Sequence, residues 1–266
     1  MSNIIEVENL EKRFGEHTAV DHINFSIEEG ESFGLLGPNG AGKTTTIRML
    51  ITLIPSTSGV MSIAGLDVER NKTVVRRLLG YVPQSLSADA ALTGYENLLV
   101  MAKLLGLSAQ ERKRRIEEVL EILNLTSAAH QMVQTYSGGM VRRLEIGQAI
   151  LNRPHILILD EPTVGLDPTA RRSVWETVEA LRLQFQMTLL VTTHYMEEAD
   201  NYCRRVAIMD HGRIVAIGTP AELKASLNQA GATLEDVFTS VTGNTLESGG
   251  SYREAKQLRR RARRFN

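Results

Sequence analysis

Short apolar runs alternate with turns along the first part of the chain, a pattern that predicts β-strands. Ile23, Phe25 and Ile27 recur at every second position, as in a strand that buries one face. A turn separates them from a second apolar run, Ser32–Leu36, which ends in a glycine-rich loop. A helix over about 44–53 follows the loop. The pattern therefore predicts a buried strand, a loop and a helix in immediate succession.

The middle of the chain, about 86–148, changes to a helical pattern. Ser108 and Glu111 have the spacing of a capping box at a helix start. The residues that follow form one apolar face at helical spacing, namely Ile116, Val119, Leu120 and Leu123. We interpret the basic run at 112–115 as the solvated face of this helix. The stretch is expected to form a helical subdomain inserted into an α/β core.

The second half returns to alternating strands and helices. The run 156–159 is apolar without alternation, which is typical of a strand buried on both faces of a parallel sheet. A helix over 169–185, a strand over 188–191 and a hairpin over 206–217 follow in order. Such βαβ alternation predicts a mainly parallel sheet with crossover helices.

Composition narrows the class of protein. The chain has 266 residues, 42% of them apolar, and its 30 Lys+Arg and 31 Asp+Glu leave a net charge of −1. A disordered chain and a bulk polyanion binder are both disfavoured. The single cysteine, Cys203, cannot close an internal disulfide and is interpreted as a small buried apolar residue. No apolar run approaches the roughly 20 residues of a membrane span, so we expect a cytosolic protein, neither secreted nor membrane-spanning.

The loop after Ser32–Leu36 carries the first chemical motif. Residues 37–44 match G-x-x-x-x-G-K-[ST], whose glycines let backbone N–H groups surround phosphate oxygens. The flanking strand and helix disfavour the alternative of a surface glycine turn. Lys43 would contact the β- and γ-phosphates, the Thr44 hydroxyl would bind Mg²⁺, and Thr45 would reach the α-phosphate. The predicted nucleotide-binding residues are Phe14, Gly37, Pro38, Asn39, Gly40, Ala41, Gly42, Lys43, Thr44 and Thr45, of which Phe14 rests on a resemblance given below.

Asp160 and Glu161 follow the buried run 156–159 directly. Open α/β sheets bind ligands at the carboxyl ends of their strands, so both carboxylates are expected near the phosphate loop. Taken alone, the pair could equally cap a helix. Together with the phosphate loop, Asp160 is predicted to hold Mg²⁺ and Glu161 to polarise the attacking water as a general base.

A further segment makes a family resemblance specific. Residues 136–140 spell Tyr-Ser-Gly-Gly-Met. With the phosphate loop and the carboxylates at 160–161, they resemble the signature of ABC-type ATPases, whose usual form is Leu-Ser-Gly-Gly-Gln. The family's other motifs match in the expected order at Phe14, Gln84, Asp167 and His194. The resemblance covers about 4–240 of the chain.

The resemblance implies a role for each matched position. Phe14 would stack on adenine, Gln84 would belong to the Q-loop, and Asp167 would belong to the D-loop. His194 follows a buried strand, where an imidazole N–H can reach a γ-phosphate. The implied catalytic residues are Gln84, Glu161 and His194. The implied metal ligands are Thr44, Gln84 and Asp160.

The signature residues imply a dimer. In the family, Ser137, Gly138 and Gly139 would contact the γ-phosphate held by the opposite subunit, so that a head-to-tail dimer sandwiches two ATP molecules. Small residues at a helix start also suit an anion on physical grounds, because they leave amides free. Met140 departs from the family's usual glutamine and lacks its polar contact near the ribose.

The implied fold is α/β: a P-loop NTPase (RecA-like) core with a mainly parallel sheet, an N-terminal antiparallel β region and an inserted helical subdomain. The ATP-binding domain would span 1–240, with the helical subdomain at about 86–148. Residues 251–266 hold seven basic residues and one acidic residue, so 241–266 is interpreted as a linker and a basic tail. That tail is either a solvated end or a segment attracted to an anionic membrane.

The implied function is that of the ATP-binding and ATP-hydrolysing subunit of an ABC-2 type transporter, resembling its daunorubicin and multidrug-export branch. Residues 163–168 and 233–238 carry the resemblance to that branch. It implies ATP and Mg²⁺, separately encoded integral-membrane permease subunits that dock on 86–99, and a homodimer or a heterodimer with a paralogue. The protein would lie peripherally on the cytoplasmic face of the inner membrane and export a drug or lipid-like substrate. No nucleic acid is expected as a partner.

Two other classes of protein are alternatives to this function. A soluble ABC ATPase acting on ribosomes or nucleic acid would explain the basic tail. Such proteins carry tandem cassettes, long coiled coils or zinc-binding cysteines, whereas this sequence has one cassette and one cysteine. A P-loop GTPase or small kinase would leave 136–140 without a use, and the guanine-binding N-K-x-D is absent because Val74 follows Asn71, Lys72 and Thr73.

Overall fold

The computed structural model describes residues 2–229 and 231–243. The linker and basic tail predicted for 241–266 therefore lie, beyond residue 243, outside the described residues. Within the described ranges, strands and helices alternate along most of the chain and form two sheets with helices packed around them.

The strands of the described residues form one antiparallel and one mainly parallel sheet. The strands are β1 (Asn3–Phe14), β2 (His17–Glu28), β3 (Ser32–Leu36), β4 (Ser58–Ile63), β5 (Leu66–Asp67), β6 (Leu79–Val82), β7 (Ile156–Asp160), β8 (Thr188–Thr193), β9 (Arg205–Asp210) and β10 (Arg213–Gly218). The antiparallel sheet has the order β2-β1-β4-β5, and the larger sheet has the order β10-β9-β3-β8-β7-β6. In the larger sheet all neighbours are parallel except β10 and β9. The predicted fold class is confirmed.

Helices connect most of these strands and form an insertion between β6 and β7. The helices are α1 (Lys43–Leu50), α2 (Lys72–Leu78), α3 (Gly94–Leu104), α4 (Ala109–Ile122), α5 (Gly138–Ile150), α6 (Pro168–Phe185), α7 (Met196–Tyr202), α8 (Pro220–Ala225) and α9 (Leu234–Thr242). Two single 3₁₀ turns, Thr126–Ala128 and Val133–Thr135, lie between α4 and α5. Among the residues described, no helix has both the length and the apolar character needed to cross a membrane.

The central strands bring their carboxyl ends to one edge of a buried sheet. Every residue of β3, β7 and β8 is buried, as expected for parallel strands covered on both faces. Leu36 pairs with Thr193 across β3 and β8, and Asp160 pairs with Thr192 across β7 and β8. The phosphate loop follows β3 directly, so it shares this edge with the residues that end β7 and β8.

The inserted helices share a hydrophobic core with one face of the sheet. The predicted apolar face of α4 is confirmed, because Ile116, Val119, Leu120 and Leu123 are all buried. They join a cluster that includes Leu157 and Leu189 of the sheet and Trp175 of α6. Burying each aliphatic side chain of this size contributes about 2 kcal/mol, so the insertion is anchored to the sheet by packing as well as by its loops.

Two helix boundaries differ in detail from the sequence patterns. α1 ends at Leu50 instead of about 53, because Thr52 takes a left-handed φ of 64° and turns the chain. At the start of α4, the Ser108 hydroxyl accepts the Glu111 amide at 3.3 Å, which is half of the predicted capping box. The other half is wrong, since the Glu111 carboxylate pairs with Arg115 at 2.6 Å instead.

The interpretation of 112–115 as a solvated face is confirmed for Lys113 and Arg114, which are exposed, but it is wrong for Arg112 and Arg115. Arg112 donates to the carbonyl oxygen of Leu107 at 2.7 Å, and Arg115 donates to that of Leu151 at 2.6 Å. Both side chains are half-buried, and their N–H groups donate to carbonyl oxygens that lie just outside helices.

Candidate functional site

The phosphate loop is bent tightly against the neighbouring strands. Gly37 has a φ of 150°, and a Cβ there would lie 2.1 Å from the carbonyl oxygen of Met209. Gly42 has a φ of 105°, and a Cβ there would lie 2.5 Å from the carbonyl oxygen of Ala19. Both positions therefore require glycine. Because α1 begins at Lys43, the unpaired amides of its first turn lie at the end of this loop, an arrangement that suits phosphate.

Lys43 lies folded over the loop and is only 4% exposed. Its Nζ donates to the carbonyl oxygens of Gly37 at 2.8 Å and Pro38 at 3.1 Å. The same Nζ lies 3.2 Å from Oε1 of Glu161. The lysine thus links the phosphate loop to the residue that follows β7.

Asp160 is the last residue of β7 and accepts hydrogen bonds from two hydroxyl groups. The Thr44 Oγ1 donates to its Oδ1 at 3.2 Å, and the Thr192 Oγ1 donates to the same oxygen. Asp160 is 1% exposed, so this carboxylate is held by hydrogen bonds rather than by water. Thr192 was missed in the sequence, where β8 was predicted to end at 191. The strand continues to Thr193 and carries this hydroxyl to the site.

Glu161 is the point at which the predicted catalytic side chains meet. Its Oε2 accepts from Gln84 Nε2 at 3.0 Å and lies 3.4 Å from His194 Nδ1, while its Oε1 faces Lys43. The residue has a left-handed φ of 48°, and its amide donates to the carbonyl and the hydroxyl of Thr192, each at 3.0 Å. A side chain held from a strained backbone in this way is typical of functional sites.

The electrostatics at Glu161 keep it ionised. Burial by itself would raise the pKa of this carboxyl, but contact with His194 and the nearby Lys43 ammonium outweigh burial and lower the pKa below its ordinary value. An ionised carboxylate in a largely closed site can polarise a water molecule, and the neighbouring Gln84 amide and His194 ring offer N–H groups to hold reacting oxygens.

A second buried carboxylate, Glu198 on α7, ties together the segments on either side of the site. It accepts from Thr163 Oγ1 at 2.6 Å and from Thr193 Oγ1 at 3.2 Å. The Thr193 hydroxyl in turn accepts the amide of Tyr195 at 3.0 Å. Both neighbours of His194 are therefore fixed. No motif in the sequence singled out Glu198, and its partner Thr163 lies 35 residues away along the chain.

The signature residues lie apart from this cluster, against α6. Ser137 is the N-cap of α5, and its hydroxyl accepts the Met140 amide at 3.3 Å. A Cβ on Gly138 would meet Leu166 at 3.0 Å, and one on Gly139 would meet Ala170 at 3.1 Å. In the part of the chain that the structure describes, no hydrogen bond joins Ser137 or Gly139 to the phosphate loop.

Asp167, predicted to belong to the D-loop, caps α6 beside the signature. Its Oδ1 accepts the amides of Thr169 and Ala170, each at 3.0 Å. A cavity of about 220 Å³ lies between the starts of the two helices and is bordered by Ser137, Gly139, Asp167 and Ser173. Two helix starts thus open on the same small space.

Phe14 stands at the tip of the β1–β2 hairpin with 51% of its surface exposed. The Lys12 ammonium lies 5.0 Å from the centre of its ring. The hairpin also carries Ala19, whose carbonyl closely approaches Gly42, so the exposed ring projects from an element that packs on the phosphate loop.

The predicted residues therefore fall into three places. We call Lys43, Gln84, Asp160, Glu161 and His194 the carboxylate edge, because they meet where β3, β7 and β8 end. We call Ser137, Gly138, Gly139 and Asp167 the signature face, which lies on the starts of α5 and α6. Phe14 forms a third place at the hairpin tip.

This fold and the carboxylate edge define a P-loop ATPase. The family model described as "ABC transporter" matches residues 20–164, and the chain belongs to that family. It is an ATP-hydrolysing protein of the family, an ABC-type ATPase with an ATP-binding site.

Similar curated proteins are ATP-binding subunits of transporters. The linearmycin resistance ATP-binding protein LnrL of Bacillus subtilis is 44% identical over 224 residues, which are 84% of this chain and 72% of that protein. The Nod factor export ATP-binding protein I of Paraburkholderia xenovorans is 43% identical and covers 88% of this chain and 76% of its own. The daunorubicin/doxorubicin resistance ATP-binding protein DrrA of Streptomyces peucetius is 44% identical over 84% of this chain and 67% of that protein.

Solved structures show the same architecture. An ATP-binding subunit of an ABC transporter superposes with a TM-score of 0.79 at 30% identity, over 90% of this chain and 99% of that one. A dimeric ATP-binding cassette in a post-hydrolysis state with ADP and phosphate superposes with a TM-score of 0.71 at 26% identity. The superposition covers 81% of this chain and 98% of that one.

Proposed function

We propose that this chain supplies the energy for an exporter, driving a drug-like or lipid-like substrate through separately encoded membrane subunits. The observation that carries the proposal is the convergence of Lys43, Gln84 and His194 on the Glu161 carboxylate beside the phosphate loop. The names of three relatives, for linearmycin resistance, Nod factor export and daunorubicin/doxorubicin resistance, support export as the process.

Each residue of the carboxylate edge takes a part in hydrolysis. Glu161, ionised at neutral pH, accepts a proton from the attacking water as that water moves in line towards the γ-phosphorus. Gln84 orients the water through its amide, and His194 donates to a γ-phosphate oxygen. Lys43 stabilises charge that develops between the β- and γ-phosphates. Phe14 stacks on the adenine ring.

The donor set fits Mg²⁺. The Thr44 hydroxyl and the Asp160 carboxylate lie 3.2 Å apart, and both are the oxygen ligands that Mg²⁺ prefers, with few protein ligands in the shell. Gln84, the third proposed ligand, would supply a further side-chain oxygen. Bound Mg²⁺ would neutralise phosphate charge and lower the barrier to attack. Thr192 keeps Asp160 oriented for this task through its own hydroxyl.

The signature face completes the site of a second subunit. Ser137 and Gly138 are exposed at a helix start and bring amides and a hydroxyl without a charged side chain. These groups suit the γ-phosphate held by another copy of the chain, or by a paralogue. The dimeric cassette with ADP and phosphate supports this arrangement. ATP would then close the dimer, and hydrolysis would reopen it.

The partner surface lies on the helical insertion. Leu86, Val100 and Leu104 are exposed apolar residues in or next to the predicted docking segment 86–99. Such a surface suits an amphipathic coupling helix of a membrane subunit. The chain would thereby sit peripherally on the cytoplasmic face of the membrane. We further propose that 1–240 forms the ATP-binding domain, with its helical subdomain at about 86–148, and that 241–266 is a linker and tail.

The decisive variant is Glu161→Gln, which removes the proton acceptor but keeps the side-chain shape. We expect ATP hydrolysis to fall about 100-fold, while ATP binding persists and dimers accumulate in light scattering. The exposed Glu197 serves as the matched control, and Glu197→Gln should hydrolyse ATP at the wild-type rate. Turnover near wild type in Glu161→Gln would remove Glu161 from its proposed role.

A further inference from the structure

A buried ion pair on α5 forms hydrogen bonds with the backbone of the Q-loop, the segment 83–88 that contains Gln84. Arg142 and Glu145 lie three residues apart on the helix, are each 2% exposed, and bring Nη1 and Oε2 to within 3.0 Å. A buried charge pair is costly unless its remaining hydrogen-bonding groups are satisfied. The other partners of this pair therefore show what it holds in place.

Arg142 holds the first half of the Q-loop. Its Nη1 donates to the carbonyl oxygen of Pro83 at 2.7 Å, and its Nη2 donates to that of Gln84 at 2.9 Å. Because the guanidinium is planar, these two bonds fix the orientation of consecutive peptide groups. The Gln84 side chain thus extends from a fixed backbone to Glu161 at 3.0 Å.

Glu145 holds the second half of the same loop. Its Oε1 accepts the Ala88 amide at 3.2 Å, the Ser87 hydroxyl at 3.2 Å, and the Ser87 amide. One ion pair therefore fastens both halves of the segment 83–88. We call Arg142 and Glu145 the Q-loop clamp.

The helix that carries the clamp begins at the signature. Ser137 caps α5, and Arg142 follows five residues later, roughly 7.5 Å along the helix axis. An α-helix transmits displacement over such a short distance with little bending. Ser137, the clamp and the backbone of Gln84 are therefore joined by one short helix and its hydrogen bonds.

We propose that Arg142 and Glu145 are positioning residues that make the Q-loop and the signature end of α5 move as one body. Gln84 of one nucleotide site is thereby coupled to the Ser137 that serves the other site. The inference rests on the proposed function, because it uses the roles given there to Gln84 and Ser137. Neither clamp residue touches nucleotide; both act through Gln84.

The test is a double-mutant cycle with Arg142→Lys and Gln84→Ala, read as kcat of ATP hydrolysis and Kd of a fluorescent ATP analogue. Arg142→Lys keeps the charge but loses the fork that binds two carbonyls. We expect it to lower kcat about tenfold and to leave Kd within about twofold. In the Gln84→Ala background, the same change should alter kcat less than about twofold, because the side chain through which Arg142 acts is already absent.

Arg115→Lys is the matched control. Arg115 also lies on a helix of the insertion, pairs with a glutamate and donates to a carbonyl, but its partners are Glu111 and Leu151. It should change kcat less than about twofold in either background. Glu145→Gln provides an independent arm should Arg142→Lys fail to fold, and it should show the same non-additivity with Gln84→Ala.

The outcomes separate the clamp from the proposed function. Effects of Arg142→Lys and Gln84→Ala that multiply, or an unchanged kcat in Arg142→Lys, would overturn the clamp, since a merely structural pair would act independently of Gln84. A wild-type kcat in Gln84→Ala would instead overturn the proposed role of Gln84, and the clamp with it.

Discussion

The carboxylate edge and the signature face are built in opposite ways. At the carboxylate edge, Lys43, Asp160 and Glu161 are each at most 5% exposed and are held by ion pairs and hydrogen bonds. At the signature face, Ser137 and Gly138 are exposed, and Ser137 borders a cavity. A preorganised charged site can act on a ligand at once, whereas an exposed helix start needs a partner to supply one. In the proposed dimer, one chain would contribute the carboxylate edge to one nucleotide site and the signature face to the other.

The largest effect is expected from blocking the signature face. In Ser137→Arg, a long cationic side chain would fill the cavity beside Asp167. ATP hydrolysis should fall about 100-fold, as when a transition-state donor is lost, while the Kd of a fluorescent ATP analogue stays within about twofold. Gln134→Arg, a nearby exposed position, should keep the wild-type rate.

Lys43→Ala is expected to weaken ATP binding, which Ser137→Arg should leave intact. Removing the ammonium that spans the phosphate loop and Glu161 should weaken nucleotide binding as well as hydrolysis. If Ser137→Arg weakened binding as strongly as Lys43→Ala does, the two regions would not be separate halves.

A smaller effect is expected from acid, acting on Glu161 of the carboxylate edge. The Glu161 pKa is lowered in the folded protein, so the ionised carboxylate stabilises the fold at any pH above the ordinary glutamate pKa of about 4.3. That contribution is lost as the pH falls through the lowered folded pKa. Thermal melts should therefore show Glu161→Gln less stable than wild type at pH 7, with a gap that narrows as the pH falls.

Glu197→Gln controls for a general acid effect. Glu197 is exposed, so this variant should melt with the wild type at every pH. A Glu161→Gln gap that stayed constant or widened towards acid would contradict the lowered pKa of Glu161.

The site residues that could be predicted are those that belong to a sequence motif. The phosphate loop and the pair at 160–161 lie where a strand ends, and the ends of parallel strands share one edge of a sheet. Their convergence follows from the βαβ order of the chain. The buried runs that became β3, β7 and β8 carried the same information about the core.

Buried polar residues that belong to no sequence motif could not be predicted. Arg142 and Glu145 are charged residues on a helix, which favours solvent exposure, but in the structure both are buried and bonded to the loop at 83–88. Thr192 lies in a strand without a motif. Two elements also lack a clear periodicity of apolar residues. Strand β4 has three exposed residues out of six, and helix α7 is only seven residues long.

In the proposed function each hydrolytic site is shared by two chains, and this sharing can be tested by mixing two inactive variants. Lys43→Ala and Ser137→Arg subunits are each expected to be inactive alone. Mixed in equal amounts, they should recover about a quarter of the wild-type rate, because half of the dimers are mixed and each holds one complete site. Mixtures as inactive as their parts, although mixed dimers form, would contradict the account, as would full activity in either variant alone.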